Sequence, residues 1–166
     1  MILGMSTSTF TLVHVLISLV GIGSGFIAIF GLLKGKLIAG WTPLFLLSTV
    51  LTSVTGFLFP AEHLLPSHKV GIISLVVLAL AIGALYVFHL AGRWRAIYVI
   101  AGLTALYLNC FVAVVQSFMK VPVLHALAPH QTEPAFLVAQ TIVLVLFIVL
   151  GVLATRKFRV APILAT

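Results

Sequence analysis

Histidines carry most of the chemistry that this sequence could perform. Imidazole nitrogens and carboxylate oxygens are ordinary ligands of zinc, copper and non-haem iron, and imidazole is also an axial ligand of b-type haem. The chain has six histidines and two acids, and most of them lie in two polar stretches, AEHLLPSHK (61–69) and KVPVLHALAPHQTEP (120–134). The candidate ligands for a transition metal or haem b are His14, His63, His68, His125 and His130.

The spacing of these histidines leaves two interpretations open. His63 and His68 are separated by five positions, as are His125 and His130, and no HExxH, CxxC or paired-carboxylate motif occurs. Histidines in polar loops also commonly bind only water or lipid headgroups. His14 differs because it lies inside an apolar run, where an ionisable side chain is costly and usually faces the interior of a bundle. Its expected partner is either a hydroxyl group of a neighbouring helix or a metal or haem shared with His68.

A second group of residues forms a small and polar helix face. Ala101, Ala105, Asn109, Ala113 and Gln116 recur at steps of three and four residues. Such a face either lets two helices pack closely through hydrogen bonds or lines a crevice. The crevice hypothesis places a quinone headgroup, an ion or a small solute among Asn109, Gln116, Gln140 and Thr52.

Small residues also recur in the first apolar segment, GIGSGFIAIFG. Gly21 and Gly25 form a GxxxG step, and Ala28 follows about one turn later. Small residues at this spacing let two helix backbones approach closely. The motif therefore predicts a packed helix contact, either within the bundle or with a partner protein.

Composition identifies the elements that must position these residues. The chain is 63% hydrophobic and 7% charged, with a mean hydropathy of +1.35, which is too apolar for the surface of a soluble globule. A spanning helix needs about 20 apolar residues to cross about 30 Å of hydrocarbon, and segments that are apolar on every face exclude barrel strands. The sequence predicts one all-α membrane domain of five helices, at about 9–33, 43–59, 70–91, 96–118 and 134–155.

Charge predicts the orientation of this bundle. Seven of the nine basic residues follow the odd-numbered predicted helices: Lys34, Lys36, Arg93, Arg95, Arg156, Lys157 and Arg159. The positive-inside rule then places the N-terminus outside, the C-terminus inside and the loops after helices two and four on the outer side, with the five candidate histidines. Topology and anionic lipid account for the net charge of +7, so nucleic acid is not an expected partner.

Several stretches give the chain a resemblance to a known group. TGFLFPAEH, HKVGIISLVVLALAI, YVFHLAGRWRAIYV and ALAPHQTEPAFLVAQ resemble segments of small hypothetical inner-membrane proteins of bacteria, and the resemblance covers most of the chain. It implies a bacterial inner membrane and a five-helix bundle. It carries no activity and no functional residue.

Three classes of function fit these observations. The first is a non-catalytic membrane component, either an accessory subunit of a larger membrane complex or a homo-oligomer. The second is a haem or metal protein in electron transfer or metal handling, and the third is a small-solute permease or channel subunit. The sequence has no phosphate-binding glycine loop, nucleophile elbow or dinucleotide fingerprint, so an enzyme is not the favoured interpretation.

Overall fold

The computed structural model describes residues 1–60 and 66–159, and within these ranges every regular element is a helix. The helices are α1 Thr7–Leu33, α2 Trp41–Gly56, α3 Pro66–Ile82, α4 Trp94–Lys120, α5 Pro122–Leu127 and α6 Pro134–Lys157, and a π-helical turn, Gly83–Val87, continues α3. The prediction of an all-α chain is confirmed. The short helix α5 lies in a stretch where the sequence predicted a loop, and Pro122 stands in its first turn, a favoured position for proline.

Four of the helical segments are long and apolar enough to cross a membrane: Thr7–Leu33, Pro66–Val87, Trp94–Lys120 and Pro134–Lys157. These four correspond to the first, third, fourth and fifth predicted helices. The predicted second helix corresponds to α2, which has 16 residues. At about 1.5 Å per residue, α2 alone is about 24 Å long and falls short of the hydrocarbon thickness.

Helices α1 and α2 pack antiparallel along almost their whole length. A methyl group on Gly25 would meet Phe45, one on Gly21 would meet Thr49, and one on Gly31 would meet Ile38. Farther along, His14 reaches Thr55 and Phe10 reaches Phe59. The two residue numbers add up to about 70 in each of these pairs, so the register is constant. Residues 10–31 of the first hairpin arm therefore run beside residues 38–59 of the second.

Helix α4 is the centre of the bundle and contacts each of the other described helices. Its side chains Val99, Ala105 and Leu106 are fully buried, and Ala101 and Gly102 on the small face are also buried. The predicted small face of this helix is thus a packing surface over its first half.

Helices α4 and α6 are antiparallel, and aromatic pairs mark their register. The ring centroids are 5.4 Å apart for Phe118 and Phe136, 5.8 Å for Tyr107 and Phe147, and 6.3 Å for Tyr98 and Phe158. The chain leaves α4, passes through α5 and a short loop, and returns as α6, which packs against α4. Most of the surface of α6 is exposed on the outside of the bundle.

The long helices alternate in direction, so the turns that connect them lie at two ends of the bundle, and these ends differ in chemistry. Gly35, in the turn after α1, lies beside the backbone oxygen of Lys157, which would be 3.4 Å from an added methyl group. Tyr98, near the start of α4, packs on Phe158 after α6. This brings the segments with most of the basic side chains to one end, which we call the basic end: Lys34, Lys36, Arg93, Arg95, Arg156, Lys157 and Arg159. The opposite end, with His14, Phe59 and His68, is the His14 end.

Candidate functional site

His14 is the candidate histidine that lies within a long apolar helix, α1, and its side chain contacts the neighbouring helix α2. Its Nδ1 lies 2.8 Å from Oγ1 of Thr55 on α2. Oγ1 of Thr55 also lies 2.7 Å from the backbone oxygen of Leu51 and 3.2 Å from that of Thr52. The one hydroxyl hydrogen therefore has several acceptors within reach, and Nδ1 of His14 either donates to the hydroxyl or accepts from it, according to its tautomer. The contact uses Nδ1, so Nε2 is the nitrogen of His14 that could bind a metal.

Two phenylalanine rings pack around this contact. The ring of Phe59 stands edge-on to the imidazole of His14 at 5.2 Å and edge-on to the ring of Phe10 at 5.1 Å. Phe10 is buried, with 2% of its surface exposed. The first turns of α1 are thereby fastened to the segment that follows α2.

His68 lies in the first turn of α3 and packs on the same segment after α2. Its imidazole is stacked on the ring of Phe57 at 5.4 Å with an interplanar angle of 15°, and the residue is buried. Phe57 in turn lies against Gly71, where an added methyl group would be 3.0 Å from the ring. Phe57 therefore contacts His68, and Phe59, two positions later, contacts His14.

The remaining candidate histidines do not join this pair in the part of the chain that the structure describes. His125 is exposed on α5, and His130 is exposed in the following loop. His63, together with the neighbouring Glu62, lies outside the described residues. Within residues 1–60 and 66–159, no group of three or more histidine, cysteine or acidic side chains is arranged to hold a metal ion.

His130 has a local partner of its own. Its Nδ1 and its backbone nitrogen both lie 3.1 Å from Oε1 of Glu133, and the backbone nitrogen of Thr132 donates to Oε2 at 3.0 Å. Desolvation opposes ionisation of this carboxyl, but the hydrogen bonds outweigh it and lower the pKa of Glu133 below its ordinary value. The arrangement fastens the loop before α6.

A polar cluster lies at the contact of α1, α2 and α4. Nδ2 of Asn109 is 3.4 Å from Oγ1 of Thr49, which is fully buried. Gly21 faces both side chains, and an added methyl group would lie 3.3 Å from the hydroxyls of Ser48 and Thr49 and 3.4 Å from Asn109. The absence of a side chain at Gly21 is what lets these polar groups from two other helices approach α1.

A second buried polar contact joins α2 to α3. Ser53 donates to Oγ of Ser74 at 3.0 Å, and both residues are buried. The second predicted segment is rich in hydroxyl side chains, but the sequence did not select Ser74 as a partner. Side-chain hydroxyls of α2 thus contact both α1 and α3.

The structure gives the residues of the crevice hypothesis different surroundings. Asn109 belongs to the cluster at Gly21, whereas Gln116 is exposed on the surface of α4. Gln140 on α6 donates to the backbone oxygen of Phe111 at 3.2 Å. Within the described residues, Oγ1 of Thr52 and Oε1 of Gln140 are buried without a hydrogen-bond partner.

The helix-packing residues of the first segment contact α2 and α4. Gly25 is in the tightest position, because an added methyl group would lie 2.6 Å from Cδ1 of Leu106 and 2.9 Å from Cδ2 of Phe45. Ala28, one turn on, is buried in the same core. The GxxxG step thus serves contacts within the chain, one of the two alternatives that the sequence allowed.

The sequence did not indicate a groove between α4 and α6, near the basic end. It has a volume of about 500 Å³ and is open along one side. Its lining includes Tyr107, Phe147 and other apolar side chains, and Arg156 is the lining residue nearest the C-terminus of α6. Because α6 is apolar on all faces, the sequence could not show which face meets α4.

A comparison with known protein families, curated proteins and solved structures finds no match to this chain.

Proposed function

We propose that this chain is a small non-catalytic membrane component, which acts as an accessory subunit or as a homo-oligomer. The observation that carries this proposal is the contact of Gly21 with Ser48, Thr49 and Asn109. These three polar side chains are in close contacts between three helices. Groups used in this way stabilise a bundle and are not held available for a substrate.

The proposal includes five membrane crossings. Helix α2 is short, but its register with α1 extends from Ile38 to Phe59. At about 1.5 Å per residue, the partner stretch 10–31 of α1 covers about 31 Å, which is the thickness of the hydrocarbon layer. A segment that accompanies a spanning helix over this whole distance crosses the membrane with it.

The proposed orientation has the basic end inside and the His14 end outside, in a bacterial inner membrane. Its support is the positive-inside rule together with the contacts of Gly35 with Lys157 and of Tyr98 with Phe158. These contacts collect at one end the basic residues that lie in three separate parts of the sequence. In this orientation the loops after α2 and α4 are on the outer side.

A haem or metal protein is the second candidate function, and one observation favours it. The contact of His14 with Thr55 uses Nδ1, so Nε2 is the nitrogen of His14 that a metal or haem iron would take. His68 packs on Phe57, two positions from the Phe59 that contacts His14. Two histidines from two helices are sufficient as axial ligands of a b-type haem, and His63, His125 and His130 are the additional ligands of the metal hypothesis.

An optical spectrum and elemental analysis of the purified protein distinguish the two candidates. The non-catalytic proposal expects a colourless sample with less than about 0.1 transition-metal ion per chain and no solute flux in liposomes. A Soret band, or about one metal ion per chain that is lost in His14→Ala and retained in the exposed His125→Ala control, would replace it with the second candidate. Crosslinking in native membranes then separates an accessory subunit, found with another protein, from a homo-oligomer.

A further inference from the structure

The groove between α4 and α6 is lined by apolar side chains of both helices. On α6 its lining runs from Leu144 to Arg156, about 18 Å at 1.5 Å per residue, and on α4 it runs from Ile100 to Tyr107, about 10 Å. The groove has a volume of about 500 Å³ and is open along one side. An open apolar groove along two helices of membrane-spanning length is suited to the hydrocarbon chain of a lipid.

The length of the groove corresponds to one leaflet of a bilayer. Half of the hydrocarbon thickness is about 15 Å, and the groove extends about this far from the basic end towards the middle of α6. An acyl chain that starts at the level of Arg156 would thus lie in the groove over its whole depth.

The walls of the groove are suited to hydrocarbon, even where their residues are polar. The hydroxyl of Thr155 donates to the backbone oxygen of Gly151 at 2.8 Å, and that of Thr104 donates to Ile100 at 2.8 Å. Because each hydroxyl hydrogen is used within its own helix, neither offers a donor to a polar ligand. Gly151 has no atom within 4 Å of the position of an added methyl group, so the groove is open there.

Arg156 supplies the one cationic group of the lining. It is exposed, and in the part of the chain that the structure describes the only acidic side chain is Glu133, before the opposite end of α6. Arg156 therefore has no acidic side-chain partner among the described residues. A guanidinium group at the end of an apolar groove, at the level of the lipid headgroups, binds phosphate oxygens with high complementarity.

We propose that this groove is a binding site for an anionic phospholipid, with one acyl chain between α4 and α6 and the headgroup phosphate on Arg156. The inference goes beyond the proposed function and rests only on its membrane-spanning part. The inference holds in either orientation of the bundle, because the groove and the basic end are on the same side of the membrane in both orientations.

Native mass spectrometry of the full chain in detergent tests the proposal, with dioleoyl phosphatidylglycerol and dioleoyl phosphatidylcholine as probes. The two lipids have the same acyl chains and differ in headgroup charge. We expect one saturable phosphatidylglycerol per chain and weaker binding of phosphatidylcholine. Arg156→Gln should weaken phosphatidylglycerol binding by about fivefold, the effect of one basic group near the lipid surface, and should leave phosphatidylcholine unchanged. Lys157→Gln, a neighbour outside the groove lining, is the charge-matched control.

A second variant tests the acyl-chain part of the site. Gly151→Leu fills the groove without a clash and should weaken the binding of both lipids. Gly23→Leu is its control, since Gly23 on α1 is exposed and also has no atom within 4 Å of an added methyl group. Circular dichroism verifies that the variants are folded.

Three outcomes would overturn the lipid site. Equal losses in Arg156→Gln and Lys157→Gln would indicate diffuse surface attraction, and unchanged binding in Gly151→Leu would place the lipid elsewhere. Dimers that Gly151→Leu disrupts, without a saturable lipid, would assign the groove to a second copy of the chain. None of these outcomes is a failure of the proposed function, which a Soret band or solute flux would contradict independently.

Discussion

Nδ1 of His14 on α1 and Oγ1 of Thr55 on α2 are 2.8 Å apart, and Oγ1 of Thr55 also lies 2.7 Å from the backbone oxygen of Leu51. The contact places a polar connection between α1 and α2 near the start of α1, away from the contacts of Gly21 and Gly25 with α2. It makes His14 a structural residue as well as a candidate ligand through Nε2.

The contact between His14 and Thr55 should contribute measurably to stability. Thr55→Val preserves the shape of the side chain and removes the hydroxyl, so we expect a loss of about 0.6 to 1.7 kcal/mol, the range for hydrogen bonds between membrane helices. A double-mutant cycle with His14→Phe, measured by unfolding in mixed micelles, isolates the pairwise energy. Thr141→Val is the control, because its exposed hydroxyl bonds only to Leu137 of its own helix.

The glycines of α1 should differ in their tolerance of alanine. Gly25→Ala places a methyl group against Leu106 and Phe45, which are buried and cannot move away, so we expect a loss of about 1 to 3 kcal/mol. Gly21→Ala, with contacts of 3.3 to 3.4 Å, should cost less. Gly23→Ala meets open space and should be neutral or slightly stabilising, because alanine is the better helix former. Equal effects at the three positions, measured by unfolding, would argue against this packing.

Asn109 and Gln116 should respond in opposite ways to an apolar replacement. Asn109→Leu removes the contact with Thr49 and enlarges a side chain beside Gly21, so we expect a loss of about 1 kcal/mol or more. Gln116→Leu lies on the exposed surface and should be neutral. Solute flux in liposomes that Gln116→Leu abolishes would instead revive the permease hypothesis.

The loop before α6 should be sensitive to acid. Hydrogen bonds lower the pKa of Glu133, so its ionised form stabilises the fold above the unfolded-state pKa of about 4.3. This contribution is lost as the pH falls through the lowered folded-state pKa. Carboxyl carbon NMR should show the low pKa directly, and Thr132→Pro, which removes a backbone donor, should raise it. In Glu133→Gln the acid-dependent part of the unfolding free energy should disappear.

The crossing of α2 can be tested by labelling from one side of the membrane. In a Cys110→Ala background, Lys36→Cys before α2 and Pro60→Cys after it should react with a membrane-impermeant maleimide from opposite sides. If the basic end is inside, only Pro60→Cys is labelled in intact cells, and Lys36→Cys reacts after the membrane is opened. Labelling of both positions from the same side would contradict five crossings.

The sequence alone indicated an all-α chain with segments long and apolar enough to cross a membrane. Helices are the form in which such segments can cross a bilayer, because the backbone must bond internally in lipid. For the same reason the sequence could not rank the faces of α6, which has no polar stripe to mark its contact with α4. The groove at Gly151 and Arg156 therefore had no signal in the sequence.

Tertiary structure decided which polar residues meet. The hydroxyls of the second segment and the amides of the fourth were visible in the sequence. Only the antiparallel packing of α1 on α2, in which the numbers of paired residues add up to about 70, brings Thr55 to His14 and Thr49 to Gly21. This register depends on contacts of glycines in α1 with Phe45, Thr49 and Ile38. These contacts pair positions far apart in the chain, and no local pattern encodes such pairs. The same packing separates Gln116 from Asn109, since it leaves one on the surface and places the other beside Gly21.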